Sequence, residues 1–476
     1  METRILGVDL GIATKHVAVV LDGDGGTLLR RSCRSTAQSL GWIEQQALEG
    51  TAPGTKMTVV VEPTGSAWLP LAAYFLGRGH TVLRVSSAKA HDLRQFYARH
   101  TKTNGIDAEA LARIPLADPA GCRPLVLPEA APAALDRRVR AVDRLTREAA
   151  EHKVRLRDLV RQVMPDSPLQ ADLGVADLAV LERYANPHDL VRLGPARLTA
   201  LVTKASRHHQ GAERAAGWLH AARAALEVYA DYPGMPFADL ADEIATEVRL
   251  IRVLDEESDR HTAARDHAYR YTDPARLATT VPGLGPVGAP AVTAAVGDVH
   301  RFPTAEKFKS YTGLAPRVSQ TGDTDRKGQP MTKAGPQLLR STLVRAADHA
   351  RKQDPQLARV YYTQMVERGA PHIKALCVTA AHLAERLWTV LDRQMPYVVC
   401  DLDGHPVTPE QAKEIIVRDW TVPEDVRARR RNTRREQTTK TGKAPQQVRS
   451  GRAGRGDPPL QQASAPTLRS VNRSTA

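Results

Sequence analysis

Two apolar runs open the chain, Arg4-Ile-Leu-Gly-Val-Asp9 and His16-Val-Ala-Val-Val-Leu21, and a half-polar stretch, Thr27–Cys33, follows the turn Asp22-Gly-Asp-Gly-Gly26. Short β-branched runs bounded by Gly and Asp predict three meandering strands, Ile5–Leu10, His16–Leu21 and Thr27–Cys33. The period then becomes helical over residues 36–48, through Leu40, Ile43 and Leu48, and returns to a continuous apolar strand at Lys56–Val61. A helix over Ser66–Gly77, a strand over His80–Val85 and helices after Ser87 and Ile106 follow. Three strands and then alternating helices and strands describe a mixed α/β sheet.

Beyond a Pro-rich connector ending at Pro132 the pattern is helical. Leu135, Val139, Val142, Leu145, Ala149, Leu156, Leu159 and Val163 form the seam of a long helix. Its other face carries Arg137, Arg138, Arg140, Arg144, Arg147, Arg155, Arg157 and Arg161, interleaved with Asp136, Asp143 and Glu151. Such a face either meets phosphates or is a solvated ion-paired surface. Residues 166–235 read as several short helices, and the adjacent His208 and His209 diverge too far around a helix to share a metal. A second long helix starts at Phe237 and runs through Leu240, Ile244, Val248, Ile251 and Leu254 with acids among its polar positions. A basic and an acidic helix with near-heptad seams can pair within a chain or between subunits, so the expected middle is coiled-coil-like and the expected assembly a dimer or tetramer.

At 476 residues the chain exceeds a single core, and two or three domains are expected. The net charge of +14 points to nucleic acid, but it is concentrated: residues 427–476 hold 13 Lys and Arg against two acids, a surplus of eleven that leaves +3 for residues 1–426. That segment lacks the apolar residues to fold alone and is expected to be a disordered basic tail, either an arm for nucleic-acid phosphates or a merely solubilising one. Cys33, Cys122, Cys377 and Cys400 form no Cys-x-x-Cys pair, which argues against a zinc site or a disulfide framework. No run approaches the roughly 18 apolar residues of a membrane span, and the chain opens into a strand rather than a signal peptide. A cytoplasmic protein with no membrane partner is expected.

The chemistry begins with Asp9, a carboxylate ending an apolar strand and followed by Gly11. Such an acid is costly to bury and so marks a site, although Asp-x-Gly also occurs in ordinary turns. Glu62 ends the fourth strand, and in the order expected of an RNase H-like fold the first and fourth strands are neighbours. Two carboxylates at adjacent strand ends repel unless a divalent cation neutralises them, and hard oxygen ligands select Mg²⁺ or Mn²⁺. Paired ions of this kind are a standard device of phosphodiester chemistry. Asp107, read as the start of a helix through Ala108, Leu111 and Ala112, is a third acid within reach; alone it would read as an N-terminal acid answering the helix dipole.

A second informative region starts at Thr280-Val-Pro282-Gly283-Leu-Gly285-Pro-Val-Gly288, a turn opening a helix over Ala289–Val296. Gly283, Gly285 and Gly288 would let backbone N–H groups approach a phosphate, as in a helix-hairpin-helix element, or would serve only a tight connection. There follow Phe308-Lys-Ser-Tyr311-Thr-Gly313-Leu-Ala-Pro316-Arg317-Val-Ser319-Gln-Thr321-Gly322, then Lys327-Gly328, Thr332-Lys333-Ala-Gly335 and Leu338-Leu339-Arg340. The helices beyond, about Pro336–Lys352, Pro355–Arg368 and Pro371–Asp392, look structural.

Val8-Asp9-Leu-Gly11, Val61-Glu62-Pro-Thr-Gly65 and Lys102-Thr103-x-x-x-Asp107-Ala108-x-x-Leu111-Ala112 together resemble the DEDD-type insertion-sequence transposases, relatives of the pilin-gene invertase. The segments after Phe308 resemble the C-terminal domain of the same family. The resemblance implies a RuvC-like RNase H domain in which four acids bind Mg²⁺, three of them mapping onto Asp9, Glu62 and Asp107. The fourth falls on Asn104, an amide that offers a metal a carbonyl oxygen without charge. Glu109 and Asp92 are the nearby acids that could compensate.

The resemblance also implies a serine nucleophile just before a glycine in the C-terminal loop. Counting back from Gly322 places it on Thr321, while the less hindered primary hydroxyl two residues earlier belongs to Ser319. Arg317, Arg326, Lys327, Lys333 and Arg340 would then position and neutralise the phosphate. Acids and hydroxyl are implied to combine into one site, across subunits, acting on element ends and target DNA with a structured bridge RNA as guide. Guidance by base pairing suits a body with little net charge and few aromatics. Activity would place the protein at the bacterial nucleoid.

The expected division is residues 1–125 as the RuvC-like catalytic domain, 130–272 as the helical region and 275–395 as the mostly α C-terminal transposase domain. An extension, 396–426, and the tail, 427–476, complete it. Three rival readings share some of these residues. They are an actin-like phosphotransferase using Asp-x-Gly, a RuvC-like structure-specific nuclease that forms no covalent intermediate, and an inactive nucleic-acid-binding remnant.

Overall fold

The computed structural model describes residues 3–63, 65–97, 103–169, 173–318, 320–321, 324–325 and 329–430. Ser319, Arg326, Lys327 and the basic segment from residue 431 onward lie outside the described residues. The chain divides into two compact units, Met1–Ala130 and Ala131–Ala476.

In the first unit β1 (Arg4–Asp9), β2 (His16–Asp22), β3 (Thr27–Cys33), β4 (Thr58–Val61) and β5 (Thr81–Arg84) form one sheet in the order β3-β2-β1-β4-β5. The first three strands are antiparallel neighbours, and β1, β4 and β5 run parallel. Helices α1 (Ala37–Ala47) and α2 (Trp68–Gly77) share a core with Leu6, Val8, Val59 and Val61 on one face. Helices α3 (Ser87–Tyr97) and α4 (Asn104–Ala117) share the other with Ile5, Val19, Val60 and Leu83. β3 is an edge strand, which explains its half-polar sequence: Arg30 and Arg31 stand on it, and charge at an edge discourages pairing with another chain.

Among its described residues the second unit is helical apart from one short hairpin, with α5 (Ala130–Val163), α6 (Val175–Tyr184), α7 (Pro187–Ala205), α8 (Ala212–Val228) and α9 (Phe237–Thr272) first. Leu156, Val160, Trp218, Ile244 and Val248 are buried in one core, where Asp177, itself buried, is satisfied by both guanidinium arms of Arg214 and by the Trp218 indole N–H. Helix α7 breaks at Gly194, whose φ of 77° lies in the left-handed region, immediately before Pro195.

The second core holds Leu135, Val139 and Tyr269 with α10 (Leu277–Thr280), α11 (Gly288–Val296), α12 (Ala305–Thr312), α13 (Gln337–Ala350), α14 (Pro355–Tyr362) and α15 (His372–Arg393). A last helix, α16 (Pro409–Asp419), follows.

Helices α5 and α9 run through both cores and pair within the chain. Arg138 meets His261 at 3.0 Å, His152 meets Glu247 at 2.6 Å, and Lys153 meets Asp255 at 3.2 Å, so the two are antiparallel. The arginine face of α5 is largely answered by its own helix. Arg140 pairs with Asp136, Arg144 with Glu148, Arg147 with Asp143 and Arg161 with Asp158, each a solvent-screened contact contributing a few tenths of a kcal/mol at most. That is the solvated, ion-paired surface rather than a row of arginines held for phosphates.

Candidate active site

Side chains alternate along a strand, so the core positions fix where the acids point. Ile5 on β1 and Val60 on β4 lie in the core beneath α4, and the alternation carries Asp9 and Glu62 onto that same face. β1 and β4 are parallel neighbours with Val8 aligned to Val61, so the next residue on each is an acid: the structure brings Asp9 and Glu62 together at adjacent strand ends, each half-buried.

Helix α4 supplies the third acid, and Gly7 lets it come close. A Cβ on Gly7 would stand 2.1 Å from the Ala108 carbonyl oxygen and 2.5 Å from the Ala112 nitrogen, so the helix lies directly on the β1 backbone, two residues before Asp9. The helix begins earlier than the sequence pattern suggests. Thr103 caps it by accepting from the Ile106 N–H at 3.3 Å, which makes Asn104 its first residue and puts Asn104 and Asp107 three apart on one side. Asn104 is exposed and Asp107 half-buried.

Asp107 already has a cation. Arg94 of α3 places Nε 3.1 Å from its Oδ1 and donates from the same guanidinium to His91 Nδ1 at 3.0 Å. Of the two compensating acids, Glu109 is already engaged, bridging Arg30 at 2.6 Å and Arg113 at 2.9 Å, while Asp92 is exposed. Among the described residues, three His, Cys, Asp or Glu ligand atoms converge within 4.8 Å only at Asp401, Asp403 and His405. The three acids of the sheet stand wider than that, as like charges do with a guanidinium on one of them. Asp401 is a turn residue: its Oδ1 accepts from the Asp403 and His405 N–H groups, just as Asp22 Oδ1 accepts from Asp24 and Gly26.

His16 is a second residue that the sequence did not single out. The Gly11 N–H donates to its Nδ1 at 3.2 Å, so a neutral imidazole carries its proton on Nε2 and donates to Ser35 Oγ at 2.9 Å. This ties down the loop that follows Asp9. Burial pushes the His16 pKa below its ordinary value of 6.5. A lowered histidine contributes stability that is complete above pH 6.5 and lost as pH falls below it. Replacing His16 with Ala is therefore expected to cost about 2 kcal/mol at about pH 7.5 and to flatten the decline of the unfolding midpoint between about pH 6.5 and 5, measured by thermal denaturation.

In the second unit the glycine-rich turn is held from below. Asp273 accepts from Tyr269 Oη and from the Leu277 and Ala278 N–H groups. A Cβ on Gly283 would lie 2.1 Å from the Ala346 carbonyl oxygen and one on Gly288 3.2 Å from Leu284, so these two glycines serve packing against α13 and within the turn. Gly285 faces open space, beside exposed Val287.

The loop after α12 is closed at its neck. Arg317 N–H donates to Pro330 O at 2.9 Å, Thr332 N–H to Ala315 O at 2.9 Å, and Lys333 N–H to Gly313 O at 3.1 Å. Gly313 ends α12 with a φ of 73°, and a Cβ on Gly335 would fall 1.7 Å from the Tyr311 carbonyl oxygen, so both motif glycines are required by backbone contact. Within the loop β6 (Gln320–Thr321) pairs with β7 (Thr324–Asp325), setting Thr321 opposite Thr324. Arg317 and Lys333 are exposed at the neck. Arg340 is spent on the carbonyls of Lys333 and Gly335, at 3.3 and 3.2 Å, so it holds the loop.

Comparison with known proteins agrees with both units. The DEDD transposase family of IS110 type, described as "Transposase", matches residues 6–165, and the "Transposase IS116/IS110/IS902 family" matches residues 275–363. The chain is 27% identical over 396 residues to the insertion element IS116 uncharacterized 44.8 kDa protein of Streptomyces clavuligerus, covering 81% of this chain and 94% of that one. It is 25% identical over 423 residues to the IS900 uncharacterized 42 kDa protein of Mycobacterium paratuberculosis, covering 85% and 98%. It is 39% identical over 69 residues to the pilin gene-inverting protein of Moraxella bovis, covering 14% and 21%. No helix among the described residues is long and apolar enough to cross a membrane. With both family matches in one chain, flanking the acids and the C-terminal loop in turn, the protein belongs to the DEDD insertion-sequence transposases of the IS110/IS116 type and is a DNA transposase.

Proposed function

We propose that this transposase cleaves and rejoins DNA with an RNase H-like acidic site on its first unit and a hydroxyl nucleophile on its C-terminal loop. The observation that carries the reading is the placement of Asp9 and Glu62 on one face at adjacent parallel strand ends, with α4 laid against β1 at Gly7 through Ala108 and Ala112. The donors fit a divalent ion such as Mg²⁺ or Mn²⁺: Asp9, Glu62 and Asp107 offer hard oxygens, Asn104 an uncharged one, and Asp107 already draws a cation in Arg94. When bound, such an ion would activate an oxygen nucleophile and stabilise charge at phosphorus.

The remaining work falls to the chain. The hydroxyl of Ser319 or Thr321 attacks the scissile phosphodiester, forming an enzyme–DNA phosphoester and releasing a DNA hydroxyl. Attack by a DNA hydroxyl from the second strand then reverses the linkage, so no external energy source is needed. Arg317, Lys333, Arg326 and Lys327 neutralise the phosphate, and Gly285 offers the exposed backbone of its turn to a neighbouring one. A dimer or tetramer that brings the two halves of the site together, a bridge RNA as guide, and action at the cytoplasmic nucleoid complete the proposal. The near-neutral body supports the guide, since sequence selection is left to base pairing.

One experiment separates this from a nuclease that uses water. Ser319→Ala and Thr321→Val are assayed singly and together for strand exchange between a donor and a target DNA. One single variant is expected to lose about 10³-fold or more. Metal-dependent cutting that survives the double variant supports the nuclease instead. RNA co-purifying with the protein is expected to be enriched in sequence from the element's flanks, and its absence removes the guide.

A further inference from the structure

Resting on that reading of the acids, we infer that Arg94 is an internal counter-ion that a divalent metal must displace from Asp107, and that the displaced guanidinium then takes a DNA phosphate. Arg94 lies on α3 and reaches across to α4. Its side chain is 12% exposed, and Asp107 is 20% exposed. A guanidinium drawn that far out of water and held at 3.1 Å from a carboxylate is not an incidental surface pair. His91 fixes its orientation by accepting from its second arm at 3.0 Å.

The two cations compete for one carboxylate, of which Arg94 holds Oδ1. A magnesium ion would approach a carboxylate oxygen to about 2.1 Å, and at either oxygen of Asp107 its double charge would repel the guanidinium. Binding of the ion is therefore linked to release of Arg94. A planar, always-charged fork released beside the acids has one suitable partner in a DNA-cleaving site, the bidentate face of a phosphate. Because the phosphate and Asp107 compete for Arg94, DNA favours metal binding and metal favours DNA binding, reciprocally.

The test is a titration with Mn²⁺ alone, followed by electron paramagnetic resonance, on full-length wild type and on Arg94→Ala, Arg94→Gln and Arg94→Lys. Far-UV circular dichroism and the unfolding midpoint serve as controls for fold. Removing the competing charge is expected to tighten Mn²⁺ binding about tenfold in the Ala and Gln variants, with Lys between them and wild type. Adding duplex DNA should tighten Mn²⁺ binding more in wild type than in Arg94→Gln. Unchanged or weaker Mn²⁺ binding in whichever neutral variant folds overturns the inference. Asp107→Asn keeps the two levels distinct: if it binds Mn²⁺ as wild type does, Asp107 is not a ligand and the metal site itself is wrong. If it weakens binding while the Arg94 variants change nothing, the site stands and the counter-ion role falls.

Discussion

Asp9→Ala and Glu62→Ala are each expected to abolish strand exchange, by about 10⁴-fold, while leaving binding to nucleic acid within a few-fold of wild type. The separation follows from position. Both acids are half-buried at the open ends of β1 and β4, whereas the apolar core is built from their neighbours Val8, Leu10 and Val61. Removing one of two neighbouring carboxylates relieves repulsion between them, and the variants are expected to keep the fold. The check is strand exchange between a donor and a target DNA, read beside a gel-shift titration and a thermal unfolding curve. Full recombination by either variant would remove the metal-site assignment; loss of both activity and fold would show instead that the acids are structural.

Gly7→Ala carries the second large effect, and it acts through backbone rather than charge. Its new methyl would meet the Ala108 carbonyl at 2.1 Å and the Ala112 nitrogen at 2.5 Å, with no flexible side chain to yield. Helix α4 must lift off β1, at an expected cost of about 3 kcal/mol, and Asp107 rides with it. Strand exchange should fall further than stability predicts, because the third acid is displaced even in molecules that remain folded. Gly77→Ala is the control: nothing lies within 4 Å of its Cβ at the end of α2, and the expected change is within about 0.5 kcal/mol. Urea unfolding of the two variants, with strand exchange under native conditions, separates the effects. Equal behaviour of Gly7→Ala and Gly77→Ala would contradict the account of how α4 is seated.

What could be read from the chain is what local pattern and strand order determine. The three-strand meander follows from apolar period and turn residues, and the adjacency of Asp9 and Glu62 from the strand order expected of an RNase H-like fold; the structure adds that β1 and β4 are parallel neighbours. The seams of α5 and α9 were legible too, because a long helix repeats its signal many times. The pairing of those helices inside one chain was not, since the same seams suit a partner subunit equally well.

Side-chain partners brought from another element were hidden. Arg94 precedes Asp107 by thirteen residues on a different helix, and nothing in its neighbourhood distinguishes it from the other arginines. His16 looks like the first residue of a strand; only the folded loop shows it accepting from Gly11. Glycines misled in a consistent direction. Gly283 and Gly288 look like phosphate-binding positions, yet Gly283 is required by the Ala346 carbonyl and Gly288 lies close to the Leu284 side chain. Arg340 likewise belongs to the loop's own carbonyls. The start of α4 was misplaced because Asp107 resembles a first-turn acid, whereas the cap is Thr103 and Asn104 opens the helix.

The central claim is that the acids and a hydroxyl of the C-terminal loop make one reaction. The most direct measurement is to trap wild type on a DNA carrying an element end, digest it, and identify by mass spectrometry the peptide that retains nucleotide. The account predicts a phosphoester on the peptide spanning residues 317–330, on Ser319 or Thr321, that disappears in Asp9→Ala. Strand exchange at full rate with no adduct on that peptide, or an adduct that forms equally well without Asp9, would contradict it.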